Sequence, residues 1–195
     1  MTRLIIDTDM ASDDAVSLLM ALGAPGVTIE AITCVAGYMP VEGAVQNTLY
    51  LLERAGRLDI PVYAGRPAPV LKPYKHLGRA HGEDGLGDID LSVGGRSATP
   101  GNAVIEMVRL INENPGQITL APIGPLTNIA VAVLLDPSIV TKVAGCYVMG
   151  GSAGAGNVTA AAEANAWQDP DAAAIVFASG MPVTMVGWDM CVEYA

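Results

Sequence analysis

Apolar runs of strand length alternate along this chain with stretches of helical period, and that alternation leaves few folds open. Leu4-Ile5-Ile6 runs apolar up to Asp7 and reads as a buried strand, and Val16, Leu19, Met20 and Leu22 behind it recur at helical spacing. Residues 27–35 give a second strand after Pro25-Gly26, and Pro40 opens a helix carrying Val41, Val45, Leu49 and Leu52 on one face. A short strand at 61–64, a helix through Val104, Ile105, Val108 and Ile111, and a strand at 118–121 continue the series. A helix to about Leu135, a strand from Val143 to Met149, a helix from Asp169 to Ser179 and a strand at 183–186 complete it. Repeated strand-helix units imply right-handed crossovers. The expected fold is therefore α/β, a mostly parallel, Rossmann-like sheet with helices on both faces, whose ligands gather at the carboxyl ends of the strands. No repeat or interdomain linker divides residues 1–195, so one domain is expected.

The polar clusters follow strands, as that geometry requires, and the first is the densest. Asp7, Asp9, Asp13 and Asp14 leave the end of the first strand together. Ser12 is the expected helix cap, with Asp13 and Asp14 in the first turn, where free amides and the helix dipole favour negative charge. That accounts for two acids. The other two repel them unless a hard cation with oxygen ligands neutralises the group.

A formal net charge of −10 leaves little basic surface to hold phosphates, which argues against nucleic acid as a partner. No apolar run approaches the ~20 residues of a membrane span. No basic segment followed by an apolar core opens the chain, so a cytoplasmic location is expected. Cys34, Cys146 and Cys191 have no metal-type spacing and read as buried thiols. Residues 65–100, rich in Gly, Pro and charge, form a long loop of the kind used as a lid or binding loop. The glycine-rich run from Gly150 to Gly156 lacks the Lys-Ser/Thr ending of a P-loop and the context of a dinucleotide fingerprint.

Four motifs taken together resemble the inosine-uridine preferring nucleoside hydrolases. They are Asp7-Thr8-Asp9-Met10-Ala11-Ser12-Asp13-Asp14-Ala15, the loop His81-Gly82 with Gly85-Leu86-Gly87, Gly124-Pro125-Leu126-Thr127-Asn128, and Met149-Gly150-Gly151 through Asn157 to Glu163-Ala164-Asn165 and Asp169-Pro170. The resemblance covers essentially the whole chain. It implies hydrolysis of the N-glycosidic bond of a ribonucleoside, a small-molecule substrate, by a calcium-activated water in a homodimer or homotetramer. Asp9 and Asp14 match metal-binding acids, Asp9 also matches the general base, and Asp7 matches a further acid beside the metal. Ile123 matches a position that offers its main-chain carbonyl to calcium. Asp13 and Asn165 match contacts to the ribose 2′ and 3′ hydroxyls, and Asn157 and Glu163 contacts towards the 5′ hydroxyl.

The chain departs from the family in two places. Gly37-Tyr38 stands where Gly-Asn is common, which exchanges an amide for a phenol. The family also continues well beyond residue 195 into a portion carrying a histidine-aspartate pair, so the chain reads as the N-terminal part of such an enzyme. His76 and His81, both in the long loop, are its two histidines, and neither they nor Tyr38 receive a role from the sequence. Two other readings stay open at this point. One is a ribose- or nucleoside-binding module without turnover. The other is a metal-dependent phosphatase of the haloacid-dehalogenase type, with Asp7 as nucleophile and Asp9 as acid.

Overall fold

The computed structural model describes residues 1–78, 80–89 and 96–194. Strand β1 (Thr2–Thr8) leads through a short turn into α1 (Ser12–Gly23), followed by β2 (Val27–Cys34), α2 (Val41–Arg54) and β3 (Val62–Ala64). After the long loop come α3 (Ala103–Glu113), β4 (Ile118–Pro122), α4 (Thr127–Leu135) and β5 (Gly145–Met149). The chain closes with α5 (Ala164–Gln168), α6 (Pro170–Ala178), β6 (Val183–Val186) and α7 (Trp188–Tyr194).

All strand pairs are parallel, and the sheet order is β3-β2-β1-β4-β5-β6. The alternation that betrays the fold does not reveal this order, which depends on long-range pairing. Successive residues of β1 point to opposite faces and seed two cores. Ile5 joins Met107, Ile111, Leu120, Ile129 and Val176 on the side of α3, α4 and α6. Ile6 joins Leu18, Ile32, Val45 and Leu52 on the side of α1 and α2. The order reverses direction at β1, which lies between β2 and β4, and ligand crevices in such sheets open at that point.

The apolar face expected for α1 is displaced. Val16, Leu19 and Met20 are exposed, whereas Asp14, Ala15 and Leu18 are buried. Asp14 turns inward to the end of β1, and the residue one turn further along that face is Leu18. Ser12 is not the cap either. It is the first helical residue, and Asp14 itself reaches back to accept a hydrogen bond from the Ala11 amide at 2.8 Å. In α3 the buried position falls to Met107, and Ile105 is exposed. The three cysteines are free, but Cys191, on α7, is only partly buried. Between Gly65 and Gly101 the described residues contain no helix or strand. Neither α5 nor α7 is foreseen from periodicity. Among the described residues no helix is long and apolar enough to cross a membrane.

Candidate active site

At the carboxyl ends of β1, β4 and β5 a cavity of about 460 Å³ opens, and its lining draws on separate polar clusters of the sequence. Asp9, Asp13 and Asp14 come from the turn after β1, Ile123 from the end of β4, and Asn157, Glu163 and Asn165 from the segment after β5. Asp7 lies behind this wall, fully buried on the strand itself.

The turn after β1 is built to present its acids. Met10 sits at φ 45°, a left-handed conformation that costs a non-glycine residue energy and is tolerated where surrounding contacts impose it. Those contacts are present. The Met10 amide donates to Thr8 Oγ1 at 2.9 Å, its carbonyl accepts from Asn47 Nδ2 at 3.1 Å, and its side chain is fully buried. Asp9 is packed so closely that a methyl group on Gly37 would lie 2.1 Å from Asp9 Oδ2, and one on Gly124 2.8 Å from Oδ1. Glycine is thus required on both sides of this carboxylate.

Burial dominates the electrostatics. Asp7 Oδ1 accepts from Thr33 Oγ1 at 2.5 Å and Asn128 Nδ2 at 2.7 Å, whereas Oδ2 has no partner. Desolvation outweighs those two bonds and, with the nearby charge of Asp9, pushes the Asp7 pKa up to about 7. Asp9 accepts from the Tyr38 amide at 2.5 Å and still rises to about 6, chiefly through burial, with the charge of Asp13 adding to the shift. Asp14 is held well above the carboxylate range by burial and by the charges of Asp9 and Asp13. The charge of Asp9 is thus one of the forces that keep Asp14 protonated. No lysine or arginine is among the described residues that line the cavity.

An uncompensated set of oxygen donors of this kind fits a hard cation. Among the described residues no group of three or more His, Cys, Asp or Glu side chains is arranged to hold a metal ion, so a cation would depend on backbone carbonyl and water ligands as well. Ile123 lies on the cavity wall and offers its main-chain carbonyl to a neighbouring side chain. That carbonyl accepts a hydrogen bond from Asn165 Nδ2 at 2.9 Å, and the same amide reaches the Met149 carbonyl at 3.2 Å. Asn165 thereby ties the ends of β4 and β5 together and keeps its own Oδ1 for other contacts.

Glu163 is the N-cap of α5. Its carboxylate accepts from the amides of Gly151 at 2.8 Å, Asn165 at 2.9 Å and Ala166 at 3.1 Å. Asn157 is exposed on the rim. Further residues enter the site without having been assigned from sequence, among them three with polar side chains. His81 lines the cavity, whereas His76 does not, and Tyr38 and Gln168 form part of the wall. The unusual Gly37-Tyr38 pair was the available signal for Tyr38. Gln168 gave none, because nothing in the sequence distinguishes a buried glutamine from a surface one.

The model of the family described as inosine-uridine preferring nucleoside hydrolase matches residues 4–195. The chain belongs to this nucleoside hydrolase family. It is 42% identical over 187 residues to a probable uridine nucleosidase of Oryza sativa subsp. japonica, covering 95% of this chain and 58% of that protein. It is 37% identical over 188 residues to a pyrimidine-specific ribonucleoside hydrolase of Escherichia coli, covering 96% and 60%. Among solved structures, a plant nucleoside hydrolase superposes with a TM-score of 0.94 at 38% identity, over 96% of this chain and 60% of that one. A purine-preferring ribonucleoside hydrolase from Gardnerella vaginalis gives 0.93 at 35% identity, over 96% and 61%. The chain thus spans about three-fifths of the length of these nucleoside hydrolases. Membership of the family displaces the phosphatase reading, since the match takes in the acid turn itself.

Proposed function

We propose that this chain carries the metal- and ribose-binding part of a ribonucleoside hydrolase that releases ribose and a free nucleobase. The observation that carries the reading is the set of buried, mutually repelling carboxylates at one cavity wall with an all-oxygen donor set beside them. In this reading Asp9, Asp14 and the Ile123 carbonyl hold calcium, and Asp7 supplies negative charge behind them. Calcium, when bound, holds a water and makes it easier to deprotonate.

The remaining chemistry belongs to the side chains. Asp9 takes the proton of the attacking water, the role that the resemblance gives it. Asp13 and Asn165 Oδ1 accept from the ribose 2′ and 3′ hydroxyls. Asn157 and Glu163 face the 5′ hydroxyl. Positive charge developing on the sugar as the glycosidic bond lengthens is stabilised by these nearby carboxylates. We further place the protein in the cytoplasm, as a homodimer or homotetramer.

A second reading, binding of the nucleoside without turnover, is favoured by the commitment of Glu163 to three backbone amides, which leaves it fewer lone pairs for a substrate. One experiment separates the two. Ribose release from inosine and uridine, with calcium and with a chelator, is expected to be calcium-dependent. Calorimetric binding of either nucleoside with no ribose released would favour the binding module.

A further inference from the structure

His81 is held from three sides. Ser12 Oγ lies 2.6 Å from its Nδ1, its ring packs edge-on against Tyr38 at 4.8 Å and 89°, and its backbone amide donates to the Tyr38 hydroxyl at 2.9 Å. The same hydroxyl donates to the Gly82 carbonyl at 3.1 Å. Tyr38 therefore clasps two consecutive residues of the loop, and its own backbone amide is fixed on Asp9. Its phenol uses its proton on Gly82 and a lone pair on the His81 amide. The contact left open to chemistry on this imidazole is the ring nitrogen Nε2, which lies 3.8 Å from Asp13 Oδ1.

The charges around the ring decide which nitrogen carries the proton. With hydrogen on Nδ1, that group would donate to Ser12 Oγ and the Nε2 lone pair would face the Asp13 carboxylate, which repels it. With hydrogen on Nε2, the Ser12 hydroxyl donates to Nδ1 and an N–H faces the carboxylate instead. A neutral imidazole takes the tautomer fixed by the hydrogen bond at its other nitrogen. The geometry points to Ser12 and Tyr38 as positioning residues that hold His81 as the neutral Nε2–H tautomer, a fixed donor beside Asp13 for an acceptor oxygen of the ligand bound there. The acceptor's identity as an oxygen of a nucleoside rests on the function proposed above; the tautomer does not.

The 195-residue chain is small enough for direct observation of its histidines by nitrogen-detected correlation spectra, recorded where imidazole is neutral. In a His76→Gln background only His81 contributes. The expected spectrum shows a single Nε2–H tautomer with Nδ1 accepting. Ser12→Ala and Tyr38→Phe should each convert it to an averaged, mobile pattern while the backbone spectrum stays folded. A parent spectrum that is already averaged, or that shows Nδ1–H, overturns the inference, as does an unchanged tautomer in Ser12→Ala. The ligand side is read separately, from nucleoside affinity. His81→Gln, which can place an amide N–H near the position of Nε2, should bind within a few-fold of the parent, and His81→Ala about tenfold more weakly. If neither variant changes affinity although the parent binds nucleoside, the donor role falls. A parent that binds no nucleoside refutes the functional reading instead, and the spectra still decide the tautomer.

Discussion

Two groups of buried acids border this site, and the fold treats them oppositely. Glu163 accepts from three backbone amides, and Asp169 accepts from the Val70 amide at 2.8 Å, Thr127 Oγ1 at 2.7 Å and the Ala172 amide at 3.1 Å. Those two carboxylates cap the N-termini of α5 and α6 and are amply supplied with donors by the fold. At the end of β1, by contrast, Asp7 leaves one oxygen without a partner, and the charge of Asp9 helps to raise Asp14. The difference teaches that burial alone does not mark a functional acid. The mark is a shortage of donors, because it leaves a place for positive charge.

The comparison breaks first at Asp9. With calcium saturating, Asp9→Asn keeps the size and one oxygen of the side chain but removes the base, and turnover should fall on the order of 10³-fold with little change in KM. Ribose release from inosine and uridine measures it, and near-parental turnover would show that another group activates the water.

The second effect is in stability. An acid whose folded pKa lies above its unfolded value keeps its proton on folding, so the folded state is disfavoured as pH rises from about 3.8 to about 7 for Asp7. Without a divalent cation, the melting temperature should therefore be higher near pH 5 than near pH 8, by an amount that corresponds to at most about 3 kcal/mol for this residue. Asp7→Asn should remove much of that slope. A stability that rises over the same interval would contradict the picture of undersupplied acids.

Asp169→Ala sharpens the contrast from the other side. It should cost roughly 3 kcal/mol in denaturant unfolding, since three hydrogen bonds to a buried carboxylate are lost, and it should leave calcium affinity near the parental value. The smallest effect is expected at Asp13, which is largely exposed. Asp13→Ala should leave stability unchanged and raise KM about tenfold, the signature of a contact made before the reaction.

The strands and the convergence of their polar ends were legible because both leave local signals, namely apolar runs and clusters of acid or glycine. The register of α1 was not. The apolar spacing of Val16, Leu19 and Met20 suggested a core face, but the inward turn of Asp14 rotates the helix and exposes all three. α5 is five residues long, too short to show a period, so the sequence leaves Glu163 open between a helix cap and the ligand contact that the resemblance implies. The clasp of Tyr38 on His81 joins residues 43 apart in the chain and leaves no local trace. Of the long loop, residues 79 and 90–95 lie outside the described residues.

The central claim is that the acids at the end of β1 hold a divalent cation. Calorimetric titration of calcium into the metal-free chain near pH 6, repeated in buffers of different ionisation enthalpy, tests it most directly. With Asp7 at about 7 and Asp9 at about 6, part of the site is protonated there, so binding should release protons, and the release should diminish as the pH is raised. Asp14→Asn should weaken the binding. No calcium binding, or binding that releases no protons and is indifferent to Asp14→Asn, would contradict the account.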